Sequence, residues 1–145
     1  MKNNPVVYLI GSLRNAAVPA LAARLREIGC EVFDDWHAAG PHADDEWKRY
    51  EQERGNNYQQ ALEGYAARHV FEFDLHHLER CDTVILVLPA GKSGHLEFGW
   101  ALGKDKIGYV LFDHPCDDPE TRWDVMYQFA DRVFFNPEDL MEKLK

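Results

Sequence analysis

The run Thr83-Val84-Ile85-Leu86-Val87-Leu88 is unbroken by charge and rich in β-branched side chains. A strand with one wet face alternates polar and apolar residues, whereas one without alternation is buried on both faces. Such a strand belongs in the middle of a parallel sheet, with helices packed above and below it. The remaining pattern agrees. Residues 5–10 read as a buried first strand that stops at Gly11-Ser12. Residues 16–28 carry apolar side chains at helical spacing (Ala17, Ala20, Leu21, Leu25, Ile28) and stop at Gly29, a usual residue just past a helix C-terminus. Residues 31–33 form a short second strand ending at Asp34-Asp35-Trp36. Residues 107–112 and 132–135 are the fourth and fifth strands, and Asn136-Pro137 opens a last helix as an N-cap followed by proline.

Strands alternating with helices predict right-handed βαβ units. The expected architecture is a single α/β, three-layer domain with a flavodoxin- or Rossmann-like parallel sheet of about five strands. At 145 residues the chain is long enough for one such core and not for two, so the domain spans residues 1–145. One stretch is unusual. A polar loop over residues 37–45 leads into a helix from about Glu46, which Gly55-Asn56-Asn57 breaks before a second helix over residues 58–79. This lid-like insertion near residues 35–57, rich in charge and aromatics, covers an active site or is a plain surface insertion.

Composition narrows the function classes. Lys and Arg number 16 against 25 Asp and Glu, a net charge of -9, which argues against nucleic acid as a partner. No apolar run approaches the roughly 20 residues needed to span a bilayer, and Met1-Lys2-Asn3-Asn4-Pro5 leads into a strand without a signal-peptide core. Cys30, Cys81 and Cys116 are odd in number and widely spaced, with no CxxC pair, so they read as reduced thiols of a cytoplasmic protein.

Ligands of an open parallel sheet bind outside the carboxyl ends of its strands. The residues at those ends are Gly11-Ser12-Leu13-Arg14, Asp34-Asp35-Trp36, the stretch from Pro89 to Glu97, and Asp113-His114, so polar groups gather on one rim. The segment Ala90-Gly91-Lys92-Ser93 hints at a phosphate loop, but that motif needs a glycine where Leu86 stands inside a strand. His69, His76 and His77 share a helix with Glu72 and Asp74 without HExxH spacing, so they read as solvated helix positions and no metal or cofactor is expected. Glu97 has two readings. Placed in the first turn of a helix, it stabilises the helix dipole. Flanked by Gly94, Gly99 and Ala101, it also stands where a ligand or neighbouring backbone can approach closely.

Three segments together carry a family resemblance: Val7-Tyr8-Leu9-Ile10-Gly11-Ser12, the stretch from Asp74 to Asp82, and Ser93-Gly94-His95-Leu96-Glu97-Phe98-Gly99-Trp100-Ala101. The chain resembles the nucleoside 2-deoxyribosyltransferase superfamily from Tyr8 to about Tyr127. Its marks are a strand-end tyrosine, an aspartate on the helix before the third strand, and an S-G-x-x-x-E-x-G-x-A segment. The resemblance implies that Glu97 is the nucleophile that attacks the anomeric carbon of a deoxynucleoside. Asp74 would be the acid that protonates the departing nucleobase, and Tyr8 the residue that aligns the nucleophile, with simple core packing as the ordinary alternative for Tyr8. Breaking an N-glycosidic bond builds an oxocarbenium-like transition state that a carboxylate stabilises and captures. A carboxylate at a helix N-terminus would stay ionised for that task.

The superfamily has two branches, one exchanging bases between deoxynucleosides and one hydrolysing deoxynucleoside 5′-monophosphates. Gly11, Ser12, Arg14, Ser93 and Gly94 resemble the phosphate cradle of the hydrolases, since Arg and Ser supply charge-assisted donors. Asp124 argues the other way, because it accepts from a 5′-hydroxyl and repels a phosphate. Pairing of Asp124 with Arg14 would leave the site neutral. In both branches the segment bearing Asp124 and Met126 comes from a neighbouring subunit, which implies a homo-oligomer. Trp123, Met126, Tyr127 and Phe129 would supply its contact surface, or else belong to the monomer core. Asp35 and Trp36 are further substrate-binding candidates, and Trp36, Trp47 and Tyr50 could stack on a base or pack the insertion. The implied partners are a deoxynucleoside or deoxynucleotide and a free nucleobase. A reading from another class is a non-catalytic nucleotide-sensing module, related in shape to TIR-like domains. Retention of Glu97, Asp74 and Tyr8 counts against it.

Overall fold

In the computed structural model, which describes residues 4–145, the run Thr83–Leu88 forms β3 and every one of its residues is buried. The first three residues of the N-terminal reading lie outside the described residues. β1 (Val6–Ile10) and β4 (Ile107–Phe112) flank β3, while β2 (Glu31–Phe33) and β5 (Arg132–Phe134) are the edges. All four pairings are parallel, in the order β2-β1-β3-β4-β5. Strand order reverses between β1 and β3, where an open α/β sheet leaves a crevice at its carboxyl edge.

The period of two along each strand divides the core. Val7, Leu9, Ile85, Val87 and Leu111 face α1 (Ala17–Glu27) and α6 (Pro137–Leu144), where Val18, Leu21, Leu25 and Leu140 cover them. Tyr8, Ile10, Val84, Leu86 and Val110 face the opposite way, toward Leu78 of α4 (Tyr65–Arg80) and Phe98 and Ala101 of α5 (Lys92–Gly103). Each such aliphatic side chain contributes roughly 1.5–3 kcal/mol by leaving water. Helix ends follow the expected chemistry. Gly29 closes α1 with a φ of 99°, and the Asn136 side chain accepts from the Asp139 amide ahead of Pro137.

The insertion differs from the expected loop. Residues Asp35–Ala39 form a 3-10 turn, followed by α2 (Ala43–Glu53) and the short α3 (Tyr58–Leu62). Asp44, Asp45 and Glu46 in the first turn of α2 favour its N-terminus, so the helix starts earlier than the sequence suggested. The break at Gly55 is present, with a φ of 83°. The helix expected over residues 58–79 is two helices, α3 and α4, because Gly64 is extended between them. A Cβ at Gly64 would lie 3.4 Å from a carboxylate oxygen of Glu51, which is buried and accepts from Arg54 and Asn56. The indole of Trp36 donates to the Leu9 carbonyl at 2.8 Å, which ties the 3-10 turn to β1.

Candidate active site

The alternation along β1 decides where Tyr8 goes. It is the third of five residues in the strand, not a strand-end residue, and its ring is buried on the α4/α5 side of the sheet. From there its hydroxyl donates to Oε2 of Glu97 at 2.5 Å. The ring therefore does both things that the sequence left open: it packs in the core and it holds a carboxylate.

Two glycines let α5 come close enough for this contact. A Cβ on Gly94 would lie 3.0 Å from Cγ2 of Ile10, and one on Gly108 would lie 2.4 Å from Cδ2 of Leu102 and 3.2 Å from the Phe98 ring. Gly94 thus faces β1 and seats the helix, the close approach of neighbouring chain that its lack of a side chain allows. Glu97 is the sixth residue of α5, not a first-turn residue, because the helix already begins at Lys92 behind the N-cap Gly91. The expectation that a helix N-terminus keeps it ionised is therefore overturned. Burial pushes the Glu97 carboxyl up to about 7, the Tyr8 hydrogen bond opposes that rise, and the Asp74 charge adds to it.

Asp74 stands one turn before Leu78 on the same stripe of α4, half-buried, and burial pushes its carboxyl up to about 6. Its charge raises both Glu97 and Tyr8, which places the three groups in one electrostatic unit. The Tyr8 phenol lies well above the usual range, through burial first and the Glu97 charge second, so it stays a donor. Two weakly screened carboxyls beside a neutral donor can hold one proton between them near neutrality, leaving one nucleophile and one acid.

An aromatic wall adjoins this trio that the sequence reading missed. Phe33 lies 5.1 Å from the Tyr8 ring, His77 stacks on Phe33 at 4.0 Å and 10°, and Phe73 meets His77 edge-on at 4.9 Å. His69 and His76 are exposed as expected, but His77 is half-buried. Its spacing of three from Asp74 was the available signal, since both positions fall near the helix face that packs on the sheet. Among the described residues, no group of three or more His, Cys, Asp or Glu side chains is arranged to hold a metal ion.

The rim residues have their own engagements. A Cβ on Gly11 would lie 2.8 Å from Val18, so this glycine lets β1 turn past α1. The Ser12 hydroxyl accepts from the Arg14 amide at 3.1 Å. The exposed Arg14 guanidinium lies 3.9 Å from Asp45 of α2, so within the chain its carboxylate neighbour is Asp45 and not Asp124. Asp35 and Ser93 are exposed, as is Tyr50. Trp36 is half-buried against both faces of the core, and Trp47 meets Tyr58 edge-on at 6.4 Å, so both indoles pack the insertion.

Asp124 is not gathered with the trio. It accepts from the Met126 amide at 2.8 Å and caps a 3-10 turn, Val125–Phe129. It also lines an open cavity of about 430 Å³ with Phe112, Trp123, Tyr127 and Phe135, a space that Tyr8, Asp74 and Glu97 do not line. Trp123 is 80% exposed, Phe129 72% and Met126 57%, so these side chains are surface rather than monomer core.

No protein-family model matches the chain, and no curated protein matches its sequence. Solved structures do. A 2-deoxyribosyltransferase from the psychrotolerant bacterium Bacillus psychrosaccharolyticus aligns with a TM-score of 0.62 at 15% identity, over 93% of this chain and 89% of that one. A conserved protein from Enterococcus faecalis V583 aligns with a TM-score of 0.66 at 15% identity, over 98% of each chain. At this identity the likeness is one of fold.

Proposed function

We propose that the chain is a glycosyl-transfer enzyme that cleaves the N-glycosidic bond of 2′-deoxynucleosides and passes the deoxyribosyl group to another nucleobase or to water. The observation that carries this reading is the Tyr8–Glu97 hydrogen bond, with Asp74 close enough to raise both groups, at the point where strand order reverses. Ionised Glu97 attacks the anomeric carbon while the C–N bond breaks and its electron pair leaves with the base. Asp74 gives its proton to that base. In the second half the acceptor attacks the anomeric carbon, Asp74 takes the acceptor's proton, and the Glu97 carboxylate is released. Tyr8 donates to Glu97 in its free form and keeps the unreacting oxygen oriented.

The fold shared with a 2-deoxyribosyltransferase supports this reading, as do the S-G-x-x-x-E-x-G-x-A segment and the two raised carboxyls. Exposure of Trp123, Val125, Met126 and Phe129 supports a homo-oligomer in which the segment around Asp124 serves a neighbouring copy. A second reading, hydrolysis of deoxynucleoside 5′-monophosphates, draws on Arg14. Its contact with Asp45 joins two exposed groups at 3.9 Å, and such pairs yield readily to a phosphate.

The test is to incubate the protein with a 2-fluoro-substituted deoxynucleoside and locate the added mass by peptide mapping. A modified Glu97, together with base exchange between a deoxynucleoside and a free base, is the expected result. Absence of adduct, exchange and base release with every deoxynucleoside and 5′-monophosphate tried would sink both readings and leave a non-catalytic module. Comparing rates on nucleoside and 5′-monophosphate separates the two branches.

A further inference from the structure

The 3-10 turn Val125–Phe129 hangs on one side chain. Val125, Met126, Gln128 and Phe129 are exposed, and Tyr127 alone is half-buried. Its ring stands edge-on to Phe112 at 5.5 Å and 84°, and its hydroxyl meets Nε2 of His95 at 3.0 Å. The other side-chain hydrogen bonds of this stretch stay within it: Asp124 accepts from the Met126 amide, and the Gln128 amide donates to the Val125 carbonyl. His95 is the fourth residue of α5, and Glu97 follows two positions later.

The other nitrogen of His95 sets the chemistry of this contact. Nδ1 lies 2.8 Å from the Gly91 carbonyl oxygen, which can only accept, so Nδ1 carries a hydrogen. In the neutral ring Nε2 therefore accepts from the Tyr127 hydroxyl. In the charged ring Nε2 donates to the phenol oxygen. The contact persists in either form with its direction reversed, so it acts as a tether and not as a pH switch.

We propose that His95 and Tyr127 are a positioning pair, fastening the segment at residues 124–126 to α5 of its own chain and so presenting it to the site of the neighbouring copy, where it sets substrate affinity. The inference rests on the glycosyl-transfer reading for its kinetic part and on the contact alone for its structural part. Neither residue touches the reacting atoms. Their loss lets Asp124 and Met126 drift, which weakens ground-state and transition-state binding alike and leaves the chemical step in place.

The experiment compares Tyr127→Phe, His95→Ala, His95→Gln and the double variant Tyr127→Phe/His95→Ala in the full chain. Amide hydrogen exchange over residues 123–130 and steady-state deoxynucleoside turnover are both measured. Tyr127→Phe and His95→Ala are expected to speed exchange in that segment and to raise KM about fivefold with kcat little changed, the scale of one partly solvated hydrogen bond. The double variant should be no worse than either single one, and His95→Gln should recover much of the loss. Unchanged exchange would overturn the tether. Faster exchange with an unmoved KM, or with a fall confined to kcat, would overturn its role in binding. Wild-type protein without any turnover removes the glycosyl-transfer reading and the kinetic role together, while the exchange data still decide whether the contact holds the turn.

Discussion

The Tyr8 hydroxyl and the Glu97 carboxylate, 89 positions apart in the chain, meet at 2.5 Å. Among the described residues the bond is the one interaction that favours the charged form of Glu97, against burial and the Asp74 charge, both of which disfavour it. Tyr8→Phe keeps the ring in the core and deletes that support. The Glu97 carboxyl then rises further above Asp74, the form with Glu97 ionised and Asp74 protonated becomes rarer, and the basic limb of the activity profile moves to higher pH. Turnover at pH 7 should fall roughly 10- to 100-fold, the range for a hydrogen bond to a charged group. A pH–rate series on the variant checks this, and an unmoved basic limb would return Tyr8 to the role of packing alone.

Asp74 at about 6 and Glu97 at about 7 bracket a narrow window in which the pair holds one proton, mostly on Glu97, and the reactive form is the smaller fraction with that proton on Asp74. Below it both are protonated and the nucleophile is lost. Above it both are ionised and the acid for the departing base is lost. The expected kcat/KM profile is a bell peaking between about 6 and 7, with limbs belonging to the pair rather than to either residue. A profile flat from pH 5 to 8 would exclude the two-carboxyl mechanism.

The raised Glu97 carboxyl also has a stability consequence. The folded chain holds this proton up to about 7, whereas the unfolded chain releases it near 4.5, so folding stability falls as pH rises between those values. Glu97→Gln removes the ionisation while an amide oxygen can still accept from Tyr8. The variant should be about 3 kcal/mol more stable than the wild type at pH 8, with little gain at pH 4.5. Calorimetry at the two pH values measures the difference, and an equal or lower Tm at pH 8 would contradict the burial argument.

Gly108 of β4 and Gly99 of α5 should respond in opposite directions to alanine. At Gly108 the new methyl would press on Leu102 and the Phe98 ring, lifting α5 from the sheet. Overpacking of this kind costs about 2 kcal/mol and should take Glu97 out of register with Tyr8, so activity falls as well. At Gly99 no atom lies within 4 Å of the added Cβ, and the helix interior prefers alanine by roughly 0.5–1 kcal/mol. Urea midpoints for the two variants test the pair, and a destabilised Gly99→Ala would mean that something covers that face in solution.

The strands were legible in the sequence almost to the residue. Thr83–Leu88 announces a central parallel strand because continuous apolar character is affordable only where both faces are covered. Glu31–Phe33 and Ile107–Phe112 match the reading as well, and Gly29 and Asn136 mark helix ends by local chemistry that needs no tertiary context. The insertion was less legible. Its helices are polar, so no apolar stripe declared them, and a lone glycine such as Gly64 is tolerated inside a helical pattern, so it did not announce the split between α3 and α4.

Residue types at Tyr8, Asp74 and Glu97, and their resemblance to a family pattern, came from the sequence by itself. Only the tertiary structure decided what those groups are to one another. Period-two alternation turns Tyr8 to the α4/α5 face, two glycines let α5 close on the sheet, and burial then raises both carboxyls. The sequence placed Glu97 in a first helical turn and so assigned it the charge of a dipole-stabilised acid. The fold places it a turn further in, where desolvation outweighs the helix end, because local pattern shows which residues form a helix and only packing shows how much water each one keeps.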